Sequence, residues 1–259
     1  MKKIFRLFLV ATILISCSNN TDTDIITQDP DPNPDPVNTS KKPKTIQFGG
    51  ANVAFDLVTF NYDSNGKLVS LDDPTLNYVQ EYFYTGDRVT EIRNLNNNTL
   101  SSKTTYEYAN NLVSIQREYN SDNELTRTRT YSYDSDNRVQ SYTDDNVDPN
   151  LTDWIWDYQY DTTGNSVTRT NRNDTSMYSI TIYDNKKTPQ YNLPFRRILD
   201  RAIGNINSNN IIETVSYFNG SVNNITNYEN TYDNDDFLVS TNVNSSSGSS
   251  RTETYTYDE

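Results

Sequence analysis

The sequence predicts an all-β fold, an antiparallel β-meander of about 16 strands built from repeated hairpins and curled into a barrel-like or half-barrel sheet. Three observations predict it. An aromatic residue, any residue, then Tyr and usually Asp recur about every 24 residues. Turn-forming residues follow each such phrase, and an aliphatic residue follows each turn. Two strands and two turns fit into one period, so each repeat predicts one β-hairpin.

The clearest copy of the phrase is Phe60-Asn61-Tyr62-Asp63, followed by a turn that ends at Gly66 and by the aliphatic Leu68. Asp, Asn and Gly tolerate the left-handed backbone that tight turns need. Successive copies lie 22 to 27 residues apart, except for one interval of 49 residues, which predicts a missing or degenerate repeat. The second aromatic of the phrase recurs at Tyr62, Tyr84, Tyr108, Tyr133, Tyr160, Tyr183, Tyr232 and Tyr257.

The two faces of the predicted strands differ in polarity. Aromatic residues two positions apart lie on the same face of a strand. Polar residues such as Thr59, Asn61, Thr105 and Glu107 occupy the other face. A barrel that faces lipid needs an outward apolar band, which this pattern lacks. We therefore expect the sheet to bury its aromatic face, either by curling on itself or by covering that face with another part of the chain.

Composition limits the chemistry. The chain has 20 Tyr residues, whose rings can supply core area while their hydroxyls keep polar partners. It has no His and one Cys, so the commonest general base, a thiol site and a disulfide are all missing. The net charge of −13 repels phosphate backbones, which argues against a nucleic-acid partner. We expect no cofactor and no metal site.

Residues 1–16 have the pattern of a signal peptide. Lys2, Lys3 and Arg6 precede an apolar run that is too short to span a bilayer. The run ends in Leu14-Ile15-Ser16-Cys17, which resembles a bacterial lipobox. That resemblance implies acylation of Cys17, a membrane anchor and, because Ser18 rather than Asp follows, the outer membrane. The alternative is an ordinary signal peptide with an incidental Cys.

Residues 17–44 form a predicted tether between the acylated Cys17 and a repeat domain at 45–259. Pro alternates with Asp and Asn over residues 29–36, which favours an extended polyproline II conformation. The polar, acidic start of the tether resembles the surface-export signals of Bacteroidetes-type lipoproteins. This resemblance implies the cell surface rather than the periplasmic face. A calcium site on these carboxylates is the alternative to a spacer.

One short helix is predicted near residues 194–203. Its apolar residues follow helical spacing, and Pro194 and Gly204 suit its two ends. Arg196, Arg197 and Arg201 make it basic on an acidic protein. Two interpretations remain open: a plug over one end of the sheet, or an anion or ligand site at its mouth.

Trp154 and Trp156 continue the inward column of Tyr158 and Tyr160, giving four aromatic residues on one strand face. If the two indoles are buried, they are part of the hydrophobic core. Exposed, they are able to stack on sugar rings. The spacing favours core, and both residues remain candidates for ligand binding.

The segment Tyr62-Asp63-Ser64-Asn65-Gly66-Lys67-Leu68 resembles the YD repeats of RHS-type proteins. With the lipobox, the repeat period, Tyr183-Asp184-Asn185 and the ending Thr254-Tyr255-Thr256-Tyr257-Asp258, the mature chain resembles uncharacterised Tyr-rich lipoproteins whose domain is described as porin-like. The resemblance implies a curled β-meander and no assigned activity.

The sequence thus favours a non-enzymatic binding or scaffold module on the outer membrane, with a glycan or another envelope protein as its target. The alternative is a carboxylate-dependent glycan hydrolase. A hydrolase needs two convergent carboxylates in a cleft, about 5 to 10 Å apart.

Overall fold

The computed structural model describes residues 41–50, 57–189 and 209–258, and in these residues the chain forms β-strands and turns without a helix. The predicted helix at 194–203 lies outside the described residues. The strands are β1 Lys42–Gly49, β2 Leu57–Tyr62, β3 Leu68–Asp73, β4 Tyr78–Thr85, β5 Arg88–Asn96, β6 Thr99–Ala109, β7 Leu112–Asn120, β8 Leu125–Tyr133, β9 Val139–Asn146, β10 Trp154–Tyr160, β11 Ser166–Asn171, β12 Tyr178–Lys187, β13 Asn209–Phe218, β14 Ser221–Tyr232, β15 Leu238–Ser245 and β16 Ser250–Asp258.

The sixteen strands form one closed antiparallel barrel. Each strand pairs with its neighbours in the sequence, and β1 pairs with β16 to close the sheet. The predicted all-β meander of about 16 strands is therefore confirmed, and the barrel rather than the half-barrel form is the correct one. The first three residues of β1 belong to the stretch that the sequence assigned to the tether.

The Asp of the repeated phrase builds the turn that follows it. The Oδ1 atom of Asp63 accepts hydrogen bonds from the backbone N–H groups of Asn65 and Lys67, both at 2.9 Å. Asp134 and Asp233 form the same pair of bonds in their own hairpins. All described non-glycine residues with positive φ are Asn or Asp. The carboxylates of the phrase thus have the structural role that their turn positions predicted.

These turns, at residues 63–67, 85–87, 109–111, 134–138, 161–165 and 233–237, lie at one end of the barrel, which we call the Asp-turn end. β1 starts and β16 finishes at the same end, where Lys42 lies opposite Asp258. The other turns, at residues 74–77, 97–98, 121–124, 147–153, 172–177, 219–220 and 246–249, form the far end.

A β-bulge follows most of the Asp-turn hairpins. In β4–β5, Tyr84 lies opposite Val89 while Phe83 lies opposite Glu91, so Thr90 is the extra residue. Equivalent register shifts occur in β2–β3, β6–β7, β8–β9 and β14–β15, and one occurs in the closing pair of β1 with β16. A bulge bends the strand and leaves its extra residue out of the ladder.

The second aromatic of the phrase bonds to the strand before it. Its hydroxyl donates to the backbone carbonyl of an aliphatic residue or Pro, and in all six cases this acceptor is the residue just before a bulge. Its own strand also pairs with the next strand of the barrel, through the Asp turn or, for Tyr257, through the closing pair of β16 with β1, so each of these rings connects three strands. The bonds join Tyr62 to Pro43 (2.7 Å), Tyr84 to Leu68 (2.6 Å), Tyr108 to Val89 (2.7 Å), Tyr133 to Val113 (2.6 Å), Tyr160 to Val139 (2.9 Å) and Tyr257 to Leu238 (2.5 Å).

The aromatic face lines the inside of the barrel in two core clusters. The first comprises the buried Phe60, Leu68, Tyr82, Val89 and Ile92. The second comprises the buried Val139, Tyr142, Tyr158, Val167 and Tyr183. Burial of these rings and aliphatic groups is the main favourable contribution to folding. It confirms that the repeated aromatic residues face inward.

The outer face is polar over most of the sheet. Cross-strand hydrogen bonds join Ser132 to Ser141 at 2.7 Å and Asn61 to Ser70 at 3.0 Å. An exception lies on β12–β14, where the rings of Tyr178 and Tyr217 stack with centroids 4.4 Å apart. On the same face, Ile180, Val215 and Ile225 lie in one cross-strand row. The polar pattern seen in the sequence is thus interrupted by one apolar patch.

The prediction of a missing or degenerate repeat in the 49-residue interval was wrong. β13 pairs directly with β12 and with β14, so the alternation of strands continues unbroken between Tyr183 and Tyr232. The interval is long because residues 188–208 connect β12 to β13 at the Asp-turn end. A period doubled by an inserted connection and one doubled by a lost hairpin give the same spacing in the sequence.

Replacement of Tyr108 by Phe tests the hydroxyl bonds. The variant keeps the ring but leaves the carbonyl of Val89 without its partner, and we expect a loss of about 1–2 kcal/mol in the free energy of unfolding, measured by urea denaturation. The matched control is Tyr119→Phe, whose ring lies on the outer face under Lys103, at 4.7 Å. We expect the control to change stability by less than about 0.5 kcal/mol. Equal effects of the two changes would contradict the role assigned to the hydroxyl.

The turn carboxylates predict a pH dependence. The pKa of Asp63 is lowered, chiefly by the hydrogen bond from the backbone N–H of Lys67. Desolvation opposes this shift, and the hydrogen bond from the N–H of Asn65 adds to it. The unfolded-state pKa is about 4, so the contribution of this carboxylate is fully present above about pH 4 and is lost as the pH falls through the lower folded-state value. The stability difference between wild type and Asp63→Asn, which cannot titrate, should therefore shrink below about pH 4.

The measurement is urea denaturation of both proteins from about pH 7 to about pH 3. Asp122→Asn is the control, because this exposed turn carboxylate accepts no hydrogen bond in the described part of the chain. Its difference from wild type should not depend on pH in the same way. A constant difference for Asp63→Asn across the range would show that its carboxylate is not held by the turn.

Candidate functional site

The interior of the barrel changes from apolar to polar along its axis. Near the Asp-turn end the inner face carries the phrase tyrosines and their aliphatic partners. Toward the far end, β7 to β11 carry charged and amide side chains together with two indoles. We call this region the inner polar wall, and it consists of Glu118, Arg127, Arg129, Asp144, Trp154, Trp156, Arg169 and Asn171.

Two arginines and two carboxylates of the wall form one cluster. Arg129 approaches Glu118 at 2.7 Å and Asp144 at 3.4 Å, and Arg127 approaches Asp144 at 3.2 Å. The side chains of Arg129 and Asp144 are only 15% and 11% exposed. Half-buried charges at this separation compensate each other's loss of hydration. The four charges therefore form a nearly neutral structural group.

β10 places both tryptophans on the wall. Trp154 and Trp156 point inward with Tyr158 and Tyr160, as the spacing predicted, and their ring centroids are 6.4 Å apart. Trp156 packs against the second core cluster, whereas Trp154 lies beyond it at the far end. Both side chains are half-buried rather than fully buried. Trp156 thus contributes to the core, and both indoles keep part of their surface exposed.

Arg169 on β11 completes this aromatic group. Its guanidinium lies 3.7 Å from the ring centroid of Trp156, in a cation–π contact. Its Nη2 atom donates to the hydroxyl of Tyr142 at 2.9 Å. The contact with the indole restricts the plane of the guanidinium, and the hydrogen bond to Tyr142 restricts the position of Nη2. Together they hold the side chain in a defined orientation.

The register of β9, β10 and β11 makes these residues neighbours. Trp156 lies opposite Tyr142 on one side and Asn171 on the other, and Tyr158 lies opposite Arg169. Three adjacent strands span about 10 Å, which matches the size of one or two sugar rings. Burial raises the pKa of Tyr158, so its hydroxyl remains a donor at neutral pH.

Of the residues that the sequence singled out, the structure describes only Trp154 and Trp156. Cys17, Arg196, Arg197 and Arg201 lie outside the described residues. Arg169, the arginine that contacts Trp156, was not predicted. Its inward position follows from alternation after the aliphatic Val167, but its contact with the indole depends on the β10–β11 register, which the sequence does not specify.

The described residues contain neither a metal-binding cluster nor a membrane-spanning helix. No group of three or more His, Cys, Asp or Glu side chains among them is able to hold a metal ion. Within the same ranges, no helix is long and apolar enough to cross a membrane.

Comparisons with known proteins support the fold. No family model matches the chain, and no curated protein matches it. The chain is similar to the crystal structure of a porin-like protein from Bacteroides uniformis, with 15% identity, a TM-score of 0.53 and coverage of 85% of this chain and 96% of that one. It is also similar to a porin-like protein from Bacteroides vulgatus, with 14% identity, a TM-score of 0.54 and coverage of 84% and 99%. At these identities the likeness shows a shared porin-like barrel fold.

Proposed function

We propose that this protein is a non-enzymatic glycan-binding module, anchored in the outer membrane through an acylated Cys17 and displayed on the cell surface. The observation that carries the proposal is the pair of half-buried indoles, Trp154 and Trp156, on a polar inner wall. Aromatic rings with nearby hydrogen-bonding groups suit the apolar faces and polar edges of sugars. The porin-like fold of the neighbours is compatible with an envelope protein.

The position of the wall supports display. The chain enters the barrel at the Asp-turn end, at Lys42, and Trp154 begins β10 at the far end. In this proposal the tether of residues 17–44 holds the Asp-turn end toward the membrane. The far end then points outward, and a soluble glycan reaches the indoles without passing the anchor.

The mostly polar outer face also supports the proposal. Thr45 and Thr256, for example, face each other across the closing strands at 2.7 Å. Such a surface suits contact with water rather than with acyl chains. A protein with this exterior needs an added anchor to stay at a membrane, which is the role proposed for acylated Cys17.

The hydrolase alternative has one observation in its favour. Glu118 and Asp144 are two carboxylates that meet in the barrel interior, each within ion-pair distance of Arg129. Their ion pairs satisfy the charges in the resting protein, an arrangement that suits structure better than proton transfer. Release of reducing sugar from a bound glycan, lost in Glu118→Gln, is the result that would favour hydrolysis over binding.

The Trp154→Ala, Trp156→Ala double variant tests the binding proposal. Each ring that stacks on a sugar contributes about 1 kcal/mol, so we expect roughly thirtyfold weaker binding to the glycans that the full-length protein selects from an array. Phe83→Ala is the matched control, because this exposed ring on the outer face also has an arginine over it, Arg93 at 4.3 Å. We expect the control to bind like wild type.

Two results would contradict the proposal. An array on which the wild-type protein binds no glycan would shift the target to an envelope protein. Wild-type affinity in the double variant, with glycans still bound, would move the site away from the inner polar wall.

Metabolic labelling with a fatty-acid analogue tests the anchor. We expect the wild-type protein to incorporate label and to fractionate with outer membranes, and Cys17→Ala to do neither, because the thiol of Cys17 is the predicted acylation site. The fraction exposed to added protease on whole cells reports surface display. Label retained by Cys17→Ala would disprove acylation at this residue.

A further inference from the structure

We propose that the ligand of the inner polar wall is an anionic glycan, a sugar chain that carries carboxylate or sulfate groups, and that Arg169 binds its anionic group. This inference rests on the proposed glycan-binding function and adds the chemical class of the ligand. The observation behind it is an inward-facing arginine that has no acidic partner in the described part of the chain.

The other arginines of the wall do have acidic partners. Arg127 and Arg129 are paired with Asp144 and Glu118. On the outer face, Arg172 pairs with Asp157 at 2.5 Å. Arg169 instead contacts Trp156 and the hydroxyl of Tyr142. In a protein with 35 acidic and 22 basic residues, an arginine without a carboxylate is unexpected, because a half-buried charge is costly unless it is paired.

The hydrogen-bonding capacity of Arg169 is largely unused. A guanidinium has five N–H donors, and Nη2 of Arg169 donates to Tyr142. Its Nε atom is buried and has no hydrogen-bond partner in the described residues. The planar donor fork of Arg matches the two oxygens of a carboxylate or sulfate, and the contact with Trp156 already holds this plane in place. Little side-chain entropy remains to be lost on binding.

The groups around Arg169 are also rich in donors. The hydroxyl of Tyr158 and the Nδ2 atom of Asn171 are buried without a hydrogen-bond partner in the described part of the chain. These two residues lie opposite Arg169 and Trp156 in the register of β10 and β11. The Oδ1 atom of Asn171 accepts from the backbone N–H groups of Asn173 and Asp174, which orients its amide. Unpaired buried donors are rare in native proteins, and a surplus of them suits an oxygen-rich ligand.

The charges of the wall agree with an anionic ligand. Arg127 and Arg129 offset Glu118 and Asp144, so Arg169 leaves the wall with one excess positive charge. The protein as a whole carries −13, which repels polyanions from most of its surface. An anionic glycan therefore meets its favourable site at the wall, and binding elsewhere is suppressed.

Binding of three polymers to the full-length protein tests the inference: polygalacturonate, its methyl-esterified neutral form and dextran sulfate. We expect wild type to bind polygalacturonate or dextran sulfate at least about tenfold more tightly than the neutral polymer, and more weakly as salt is raised. Preference for polygalacturonate identifies carboxylate as the anionic group, and preference for dextran sulfate identifies sulfate.

Arg169→Gln should weaken anionic binding by about ten- to a hundredfold and leave binding to the neutral polymer unchanged, because a charge-assisted hydrogen bond contributes roughly 1.5–3 kcal/mol. Arg169→Lys keeps the charge but loses the planar donor fork, and it should bind with intermediate affinity. Near-ultraviolet circular dichroism shows whether each variant is folded, and the Lys variant keeps the test valid if the Gln variant is not. Arg172→Gln is the control on the outer face and should match wild type.

Equal wild-type affinity for the neutral and anionic polymers, or anionic binding unaffected in both Arg169 variants, would overturn the inference. Glycan binding that still depends on Trp154 and Trp156 would then leave the proposed function intact. If no polymer and no arrayed glycan binds to wild type, the proposed function fails as well.

Discussion

The hydroxyl of a repeated tyrosine, bonded to a backbone carbonyl of the strand before it, is the interaction on which the barrel depends. A β-bulge bends the strand in which it occurs, but it also disturbs the ladder of backbone hydrogen bonds. A buried carbonyl without a partner is costly. Tyr84 supplies the missing partner: its ring fills the core, and its hydroxyl donates a hydrogen bond to the carbonyl of Leu68 at 2.6 Å. Phe would fill the same space and leave the carbonyl unpaired. The recurrence of Tyr at the second aromatic position of the phrase is explained by this requirement.

Local features of the chain were predictable from the sequence. The alternation at Phe60 and Tyr62 predicted the buried face, and Asp63 with Gly66 predicted the turn, because these patterns depend on neighbours within one hairpin. Closure was not predictable, since it requires β1 and β16 to meet at opposite ends of the sequence. The contact of Arg169 with Trp156 was missed for a similar reason. It depends on the register of two strands, which the bulges and the preceding turn decide together.

The distribution of charge follows from how each residue type is used. Many of the Asp residues lie in turns, where their carboxylate oxygens accept hydrogen bonds from backbone N–H groups and stay partly exposed to water, as those of Asp134 do. Arginines are used in two ways: some face inward and form ion pairs across strands, as Arg129 does with Glu118 and Asp144, and others lie over aromatic rings at the turns. Arg138, for example, bonds to Asp134 and lies over the ring of Tyr160 at 4.4 Å. The positions of these carboxylates and arginines therefore follow from the repeated hairpin.

The pairing of β1 with β16 has a consequence for the order in which the chain folds. All other strand pairs join neighbours in the sequence, so each hairpin is able to form as soon as its residues are available, and such local contacts favour fast folding. The closing pair joins residues as far apart as Thr45 and Thr256, a separation of 211 residues. Until β16 arrives, β1 and β15 each present an unpaired edge, the kind of surface that recruits other chains. β16 therefore protects both edges of the sheet at once. A chain without it would keep nearly all of its hairpins and still be prone to aggregate.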